Sequence, residues 1–110
     1  MKKHSETKLD SLWKNKVFLQ FNGRCCLCSS QSGLSAHHVR LRRYRNTRWD
    51  LSNGILLCEL HHAMAHRNVK FFENLIRKRF GDEWFESLKK KSLEFFDGDY
   101  ERIEKELKGE

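Results

Sequence analysis

The sequence predicts an α+β fold in which a short pair of strands is flanked by helices. Apolar side chains recur at helical spacing near the N-terminus and again beyond residue 59. Between these regions, two apolar segments at 34–40 and 54–58 are short enough to be strands. A length of 110 residues is typical of one domain. We therefore expect a single domain over residues 1–110.

In the N-terminal half, the sequence predicts one helix, a loop and the strand pair. An amphipathic helix is expected over about 7–21, ended by Asn22-Gly23. Its apolar face consists of Leu9, Leu12, Trp13 and Val17. Residues 24–36 have the polar composition of a loop, and an Arg-rich loop joins the two strands. The segment Asp50-Leu-Ser-Asn-Gly54 has the composition of a turn.

In the C-terminal half, the sequence predicts only helices, which form an extension over about 68–108. Helices are expected over about 59–66 and 69–80, the second closed by Gly81. Asp82 is the expected cap of the next helix. The side chains expected to face inward from it are Trp84, Phe85, Leu88, Phe95 and Phe96. After a break at 97–99, a short last helix carries Tyr100, Ile103 and Leu107.

The charge of +7 is concentrated in one segment. Between Ser11 and Trp49 there is no acidic residue, whereas eight basic residues lie there. Five of them are arginines: Arg40, Arg42, Arg43, Arg45 and Arg48. Arginine binds phosphate through two parallel hydrogen bonds. The segment therefore predicts contacts to the phosphate backbone of a nucleic acid.

Membrane and secreted proteins are the classes that the sequence disfavours. The longest apolar run, Ile55-Leu-Leu-Cys58, has four residues, which is too short for a membrane span. The first twenty residues contain no apolar core of a signal peptide. We therefore expect an intracellular protein without a membrane partner, and in such a compartment disulfides are rare.

Cysteine and histidine spacing predicts a zinc site. Cys25-x2-Cys28 and Cys58-x2-His61 repeat one spacing 30 residues apart, and together they offer three thiolates and one imidazole for tetrahedral zinc. A redox Cys-x2-Cys motif is the less favoured alternative. Cys26 is left over, although it could replace Cys25 through a tighter turn.

Four further histidines suggest a second metal site. His37 and His38 are adjacent on a predicted strand, so their side chains point to opposite faces. His62 and His66 are four residues apart on a predicted helix and share a face. One histidine of the strand pair can therefore meet both helix histidines. Individual hydrogen-bonded histidines without a metal are the alternative.

These motifs in combination resemble the HNH endonucleases. The matching residues are Cys25-x2-Cys28, Ala36-His-His-Val39 and Asn53-Gly-Ile-Leu-Leu-Cys58-x2-His61-His62-x3-His66, within about 21–66. The resemblance implies the ββα-metal fold, as a core with a structural zinc knuckle, of the small type common in phages and prophages. Thr47-Arg-Trp-Asp50 and Gly81-Asp-Glu-Trp84 are also similar to phage recombination endonucleases.

The resemblance implies a role for each matching position. His38 would be the general base, and Asn53 would tie the loop between the strands. The catalytic divalent ion would be held by His37, His62 and His66. The structural zinc would be held by Cys25, Cys28, Cys58 and His61. The family's usual fourth zinc ligand is Cys, so whether His61 or His62 takes this position stays open.

The expected activity is hydrolysis of DNA phosphodiester bonds in the cytoplasm of a bacterial host cell, leaving a 5′-phosphate and a 3′-hydroxyl. Imidazole ligands are compatible with Mg²⁺, Mn²⁺, Ni²⁺, Co²⁺ or Zn²⁺ as the catalytic ion. The alternatives are a catalytically silent zinc-dependent DNA-binding module and an accessory protein of phage packaging or recombination. The silent module leaves the second group of histidines without a purpose.

Overall fold

A computed structural model describes residues 2–109 of the chain, with side chains from residue 6 onward. It confirms an α+β fold that is mostly helical and contains a small two-stranded sheet. The elements are helix α1 (Lys2–Gln20), strand β1 (Ser35–His38), helix α2 (Arg45–Arg48), a 3-10 turn (Leu51–Asn53), strand β2 (Gly54–Leu57), and helices α3 (Glu59–Arg67), α4 (Val69–Phe80), α5 (Asp82–Ser92) and α6 (Tyr100–Lys108). Among the described residues, none of the helices combines the length and the hydrophobicity that a membrane span needs.

The two strands form an antiparallel pair that places Ser35 opposite Leu57 and His38 opposite Gly54. The N–H of Val39 donates to the carbonyl oxygen of Asn53 (2.9 Å) and extends this ladder by one residue. Because hydrogen-bonded and non-hydrogen-bonded pairs alternate, the backbone groups of Ala36 and His38 point away from β2. Within the described residues no further strand pairs with β1, so these groups lie along a free sheet edge.

Helices cover both faces of the sheet. Helices α1 and α6 pack on one face, where Trp13, Val17 and Leu107 are almost completely buried. Helices α3, α4 and α5, with the cysteine loop, pack on the other face around Ile55 and Leu57. The sheet therefore lies between two apolar clusters, and consecutive residues of either strand contribute to different clusters.

Gly54 allows α1 to lie close to the sheet. A Cβ atom at this position would overlap Val17 and would lie 2.7 Å from Cζ2 of Trp13. The helix itself ends where the sequence predicts, because Asn22 and Gly23 both adopt positive φ angles, 55° and 64°.

Three predictions for individual elements are wrong. The Arg-rich loop contains a helical turn, α2. Asp82 does not cap α5, since Gly81 occupies the cap position and the Asp82 carboxylate accepts a hydrogen bond from Arg77 Nε (2.7 Å). Phe95 is 91% exposed rather than buried. Helix α5 ends at Ser92, so the helical spacing that predicted an inward Phe95 no longer applies there.

Candidate metal centres

Cys25, Cys28, Cys58 and His61 form a cluster that could bind a metal ion such as zinc. Their ligand atoms all lie within 4.8 Å of one another. Two sulfur atoms, those of Cys28 and Cys58, are 3.7 Å apart, and Nδ1 of His61 lies 3.6 Å from Cys25 Sγ and 3.4 Å from Cys58 Sγ. Tetrahedral zinc requires about 3.8 Å between two sulfurs and about 3.6 Å between sulfur and nitrogen. The four side chains therefore have the spacing of a tetrahedral zinc site.

Local backbone structure explains how the cluster is assembled. Cys25 and Cys28 lie in a tight turn, in which the N–H of Ser29 donates to the carbonyl oxygen of Cys25 (2.9 Å). The N–H of Cys26 donates to the carbonyl oxygen of Leu56 (2.9 Å), which fixes this turn to the outer edge of β2. Cys58 directly follows β2 and is the N-cap residue of α3, so His61 lies in the first turn of that helix.

The adjacent cysteines differ in protonation. Burial opposes ionisation of Cys25, but backbone N–H groups at Cys58, Leu27 and Cys28 outweigh it and lower the pKa of the Cys25 thiol to about 6. Burial and the neighbouring Cys25 charge raise the pKa of Cys26 to about 12. Cys25 is therefore poised as a thiolate ligand, whereas Cys26 remains a protonated apolar thiol.

A second cluster joins β1 to α3. The ligand atoms of His37, His62 and His66 lie within 4.8 Å of one another. Nε2 of His62 and Nε2 of His66 are 3.1 Å apart, and two imidazole nitrogens on one divalent ion are separated by about 3.0 to about 3.4 Å, depending on geometry. Three protein ligands leave further coordination positions open, which is typical of catalytic rather than structural metal sites.

The environment keeps His37 neutral. Its ring packs edge-on against Phe72 of α4, at 5.7 Å between ring centroids. Burial, assisted by the nearby His62 and His66, lowers the pKa of His37 to about 4. Neutral imidazole is the form that binds a metal ion, so His37 needs no deprotonation at neutral pH.

His38 lies on the opposite face of β1 and does not belong to this cluster. Its ring stacks on Trp13 with 3.9 Å between ring centroids. His38 Nε2 lies 3.0 Å from the carbonyl oxygen of Arg48. Since a carbonyl oxygen only accepts, Nε2 carries the proton and Nδ1 keeps a free electron pair. Burial lowers the pKa of His38 to about 4, so the ring is neutral at pH 7.

Asn53 fixes the loop between the strands. The side chain is completely buried. Its Oδ1 accepts from the N–H of Arg40 (2.7 Å), and its Nδ2 donates to the carbonyl oxygen of Arg40 (3.2 Å). Asn53 therefore closes the loop just beyond β1, and its side-chain contacts are structural.

The arginines of the loop are largely engaged in contacts within the molecule. Arg48 is buried and binds Asp10 through two hydrogen bonds of 3.1 and 2.8 Å. Arg45 binds Glu6 (2.7 Å), and Arg42 also reaches Asp10 (3.1 Å). Both acids come from α1, just before the acid-free segment. The sequence signal that would have revealed them is their spacing, since residues 6 and 10 share a helix face.

The remaining two arginines contact neighbouring polar and aromatic groups. Arg40 Nε donates to Oγ of Ser92 (3.0 Å), and its guanidinium lies 5.0 Å from the centre of the Tyr44 ring. Arg43 donates to the hydroxyl oxygen of Tyr44 (3.1 Å). Arg42, Arg43 and Arg45 are exposed to solvent, but Arg42 and Arg45 pair with carboxylates, so Arg43 is the loop arginine most accessible to a ligand.

A groove follows the free edge of β1 and reaches the three-histidine cluster. Its walls are formed by α1 on one side and by His62 of α3 on the other. The lining side chains and backbone belong to Lys14, Asn15, Phe18, Leu34, Ser35, Ala36, Leu56 and His62. Lys14 lies in the acid-free basic segment, but neither Lys14 nor Phe18 is among the individual site residues that the sequence predicts. Their four-residue spacing on a predicted helix was the available signal.

Comparison with family models, with curated protein sequences and with solved structures gives no significant match.

Proposed function

We propose that the protein is a metal-dependent DNA endonuclease of the HNH type. The observation that supports this proposal is the relation between two neighbouring histidines on one strand. His37 joins a cluster of three imidazoles, and His38 lies on the opposite face of the same strand with a free ring nitrogen. A metal site and a neutral base therefore flank one sheet edge.

In this proposal His38 acts as the general base. Its Nε2 proton is held by the Arg48 carbonyl oxygen, so Nδ1 is the atom that accepts a proton from water. Stacking on Trp13 fixes the plane of the ring. The depressed pKa ensures that the ring is unprotonated before reaction.

The three-histidine cluster would hold the divalent ion against the scissile phosphate. Such an ion neutralises charge that develops on the phosphate and on the departing oxygen. His37 is held on the strand and His62 and His66 on the helix, so the ligands come from two rigid elements. Cys25, Cys28, Cys58 and His61, with structural zinc, would fix α3 relative to the sheet.

Cleavage of supercoiled plasmid tests the proposal. We expect nicking or cutting with Mg²⁺ or Mn²⁺, and loss of cleavage when EDTA is added. His38→Gln should lower the cleavage rate by at least about a hundredfold, since glutamine retains a donor for the Arg48 carbonyl oxygen but provides no base. His62→Ala should also abolish cleavage.

Controls separate loss of chemistry from loss of folding. Both variants should retain the circular dichroism spectrum and the zinc content of the four-ligand site. Wild-type cleavage by His38→Gln would contradict the assignment of the base. Tight DNA binding with no cleavage by any of the divalent ions would instead support the silent DNA-binding module.

A further inference from the structure

We propose that the groove along the free edge of β1 binds one strand of the DNA, with Lys14 on a phosphate and Phe18 against a base. This inference rests on the proposed function and assigns substrate-binding residues to it. His62, a member of the three-histidine cluster, lines the groove. A strand lying in it would therefore bring one of its phosphates to that cluster.

The charge of the groove favours a polyanion. Lys14 is exposed and forms no ion pair within the described part of the chain. No carboxylate lines the groove. In contrast, Arg42, Arg45 and Arg48 all bind Glu6 or Asp10. A phosphate binding to Lys14 has no carboxylate to displace, whereas at these arginines it would compete with one.

The strand edge contributes backbone donors to the same groove. Ala36 lines the groove, and its backbone groups point away from β2. An unpaired backbone N–H at a sheet edge can donate to a phosphate oxygen. Such a contact depends on the backbone alone and would be insensitive to the DNA sequence.

Phe18 provides an apolar surface next to Lys14. Its ring is held against Gly23, where an added Cβ would lie 3.0 Å from the ring, yet the residue is 46% exposed. Lys14 and Phe18 are four residues apart on α1 and therefore share a face. An aromatic ring beside a cation is the combination that binds single-stranded nucleic acid by stacking and charge.

Binding of fluorescein-labelled oligothymidylate to the 110-residue protein, loaded with zinc and followed by fluorescence anisotropy, tests the inference. No other divalent ion is added, so hydrolysis does not interfere. Lys14→Glu should weaken binding by about tenfold and reduce the slope of log affinity against log salt by about one. Phe18→Ala should weaken binding by about tenfold, whereas Phe18→Trp should restore it.

Lys16→Glu is the matched control. Lys16 lies on α1 four residues before Gln20, whose side chain donates to the carbonyl oxygen of Leu51, so it faces away from the groove. We expect Lys16→Glu to change affinity by less than about threefold. Equal weakening by Lys14→Glu and Lys16→Glu, or unchanged binding by Phe18→Ala, would overturn the inference.

The same variants separate this inference from the proposed function. If the wild-type protein binds the oligonucleotide as described but does not cleave DNA with any of the divalent ions, the groove assignment stands and the endonuclease proposal fails. If the wild-type protein cleaves plasmid, while Lys14→Glu retains wild-type affinity and Arg43→Ala loses it, the endonuclease stands and the groove assignment fails.

Discussion

At the scale of single residues, neighbours in the sequence have different environments. The adjacent pairs are Cys25 and Cys26, His37 and His38, and His61 and His62. Cys25 joins the four-ligand cluster, whereas Cys26 packs against the core. His37 joins the three-histidine cluster, whereas His38 lies on the opposite face of the sheet. His61 and His62 join different clusters. Composition alone cannot assign these roles, because they depend on the direction of each side chain.

The cysteine pair gives a direct test of the zinc site. Cys25→Ala should release bound zinc and lower the thermal midpoint of unfolding, because a structural zinc site contributes to folding free energy. Cys26→Ala removes the neighbouring thiol, but this variant should retain one zinc ion per chain. Elemental analysis of the purified variants, with thermal unfolding followed by circular dichroism, makes the comparison.

Zinc retention by Cys25→Ala, or zinc loss by Cys26→Ala, would contradict the assignment. The second result would indicate that Cys26 replaces its neighbour as a ligand through a tighter turn.

At the scale of elements, the helix and strand positions could largely be predicted from spacing. Leu9, Trp13 and Val17 are buried on α1 as their periodicity indicates, because the 3.6-residue repeat determines which side chains share a face. Predictions from residue spacing are wrong at the ends of helix α5. Phe95 follows the end of α5, and Asp82 forms an ion pair with Arg77 that its position in the sequence did not reveal.

The close approach of α1 to the sheet also predicts the effect of one methyl group. Gly54→Ala should destabilise the fold by about 1–3 kcal/mol, because the new Cβ would overlap Val17 and approach Trp13. Urea unfolding gives this difference. Ser52→Ala, at an exposed neighbouring position, is the control and should change stability by less than about 0.5 kcal/mol.

If overlap is the cause, Gly54→Ala should cost less in a Val17→Ala background. An equal cost in both backgrounds would contradict overlap with Val17 as the cause and leave the contact with Trp13 as the remaining explanation.

Across the molecule, the net charge of +7 is less available to a polyanionic ligand than the sequence indicates. Residues 11–49 contain no acid, but Glu6 and Asp10 approach their arginines from the preceding helix turns. Burial would raise the pKa of Asp10, but hydrogen bonds from Arg48 and Trp49 outweigh this effect and hold its pKa below the usual value. Three of the five predicted phosphate-binding arginines, Arg42, Arg45 and Arg48, therefore also anchor the loop to α1.

This anchoring predicts a pH-dependent stability. A carboxyl group with a lowered pKa stabilises the fold fully above its unfolded pKa of about 3.9, and this contribution is lost as the pH falls through the folded value. Asp10→Asn should therefore cost about 2 kcal/mol at pH 7, and the difference from wild type should shrink below about pH 4. Urea unfolding across this pH range measures both effects.

Asp82→Asn is the control for Asp10→Asn. Asp82 pairs with Arg77, but its side chain is 78% exposed, and exposed ion pairs contribute little to stability. A pH-independent difference between wild type and Asp10→Asn would contradict the role assigned to this carboxylate.

The adjacency of His61 and His62 on α3 has a thermodynamic consequence. Successive residues of a helix are separated by about 100° around its axis, so the rotation of α3 that brings His61 to the cysteines also directs His62 towards His37. An ion in one cluster therefore restricts the orientations available to the other. If both clusters bind ions, the two affinities would be linked, and by reciprocity each ion would strengthen the binding of the other by the same factor.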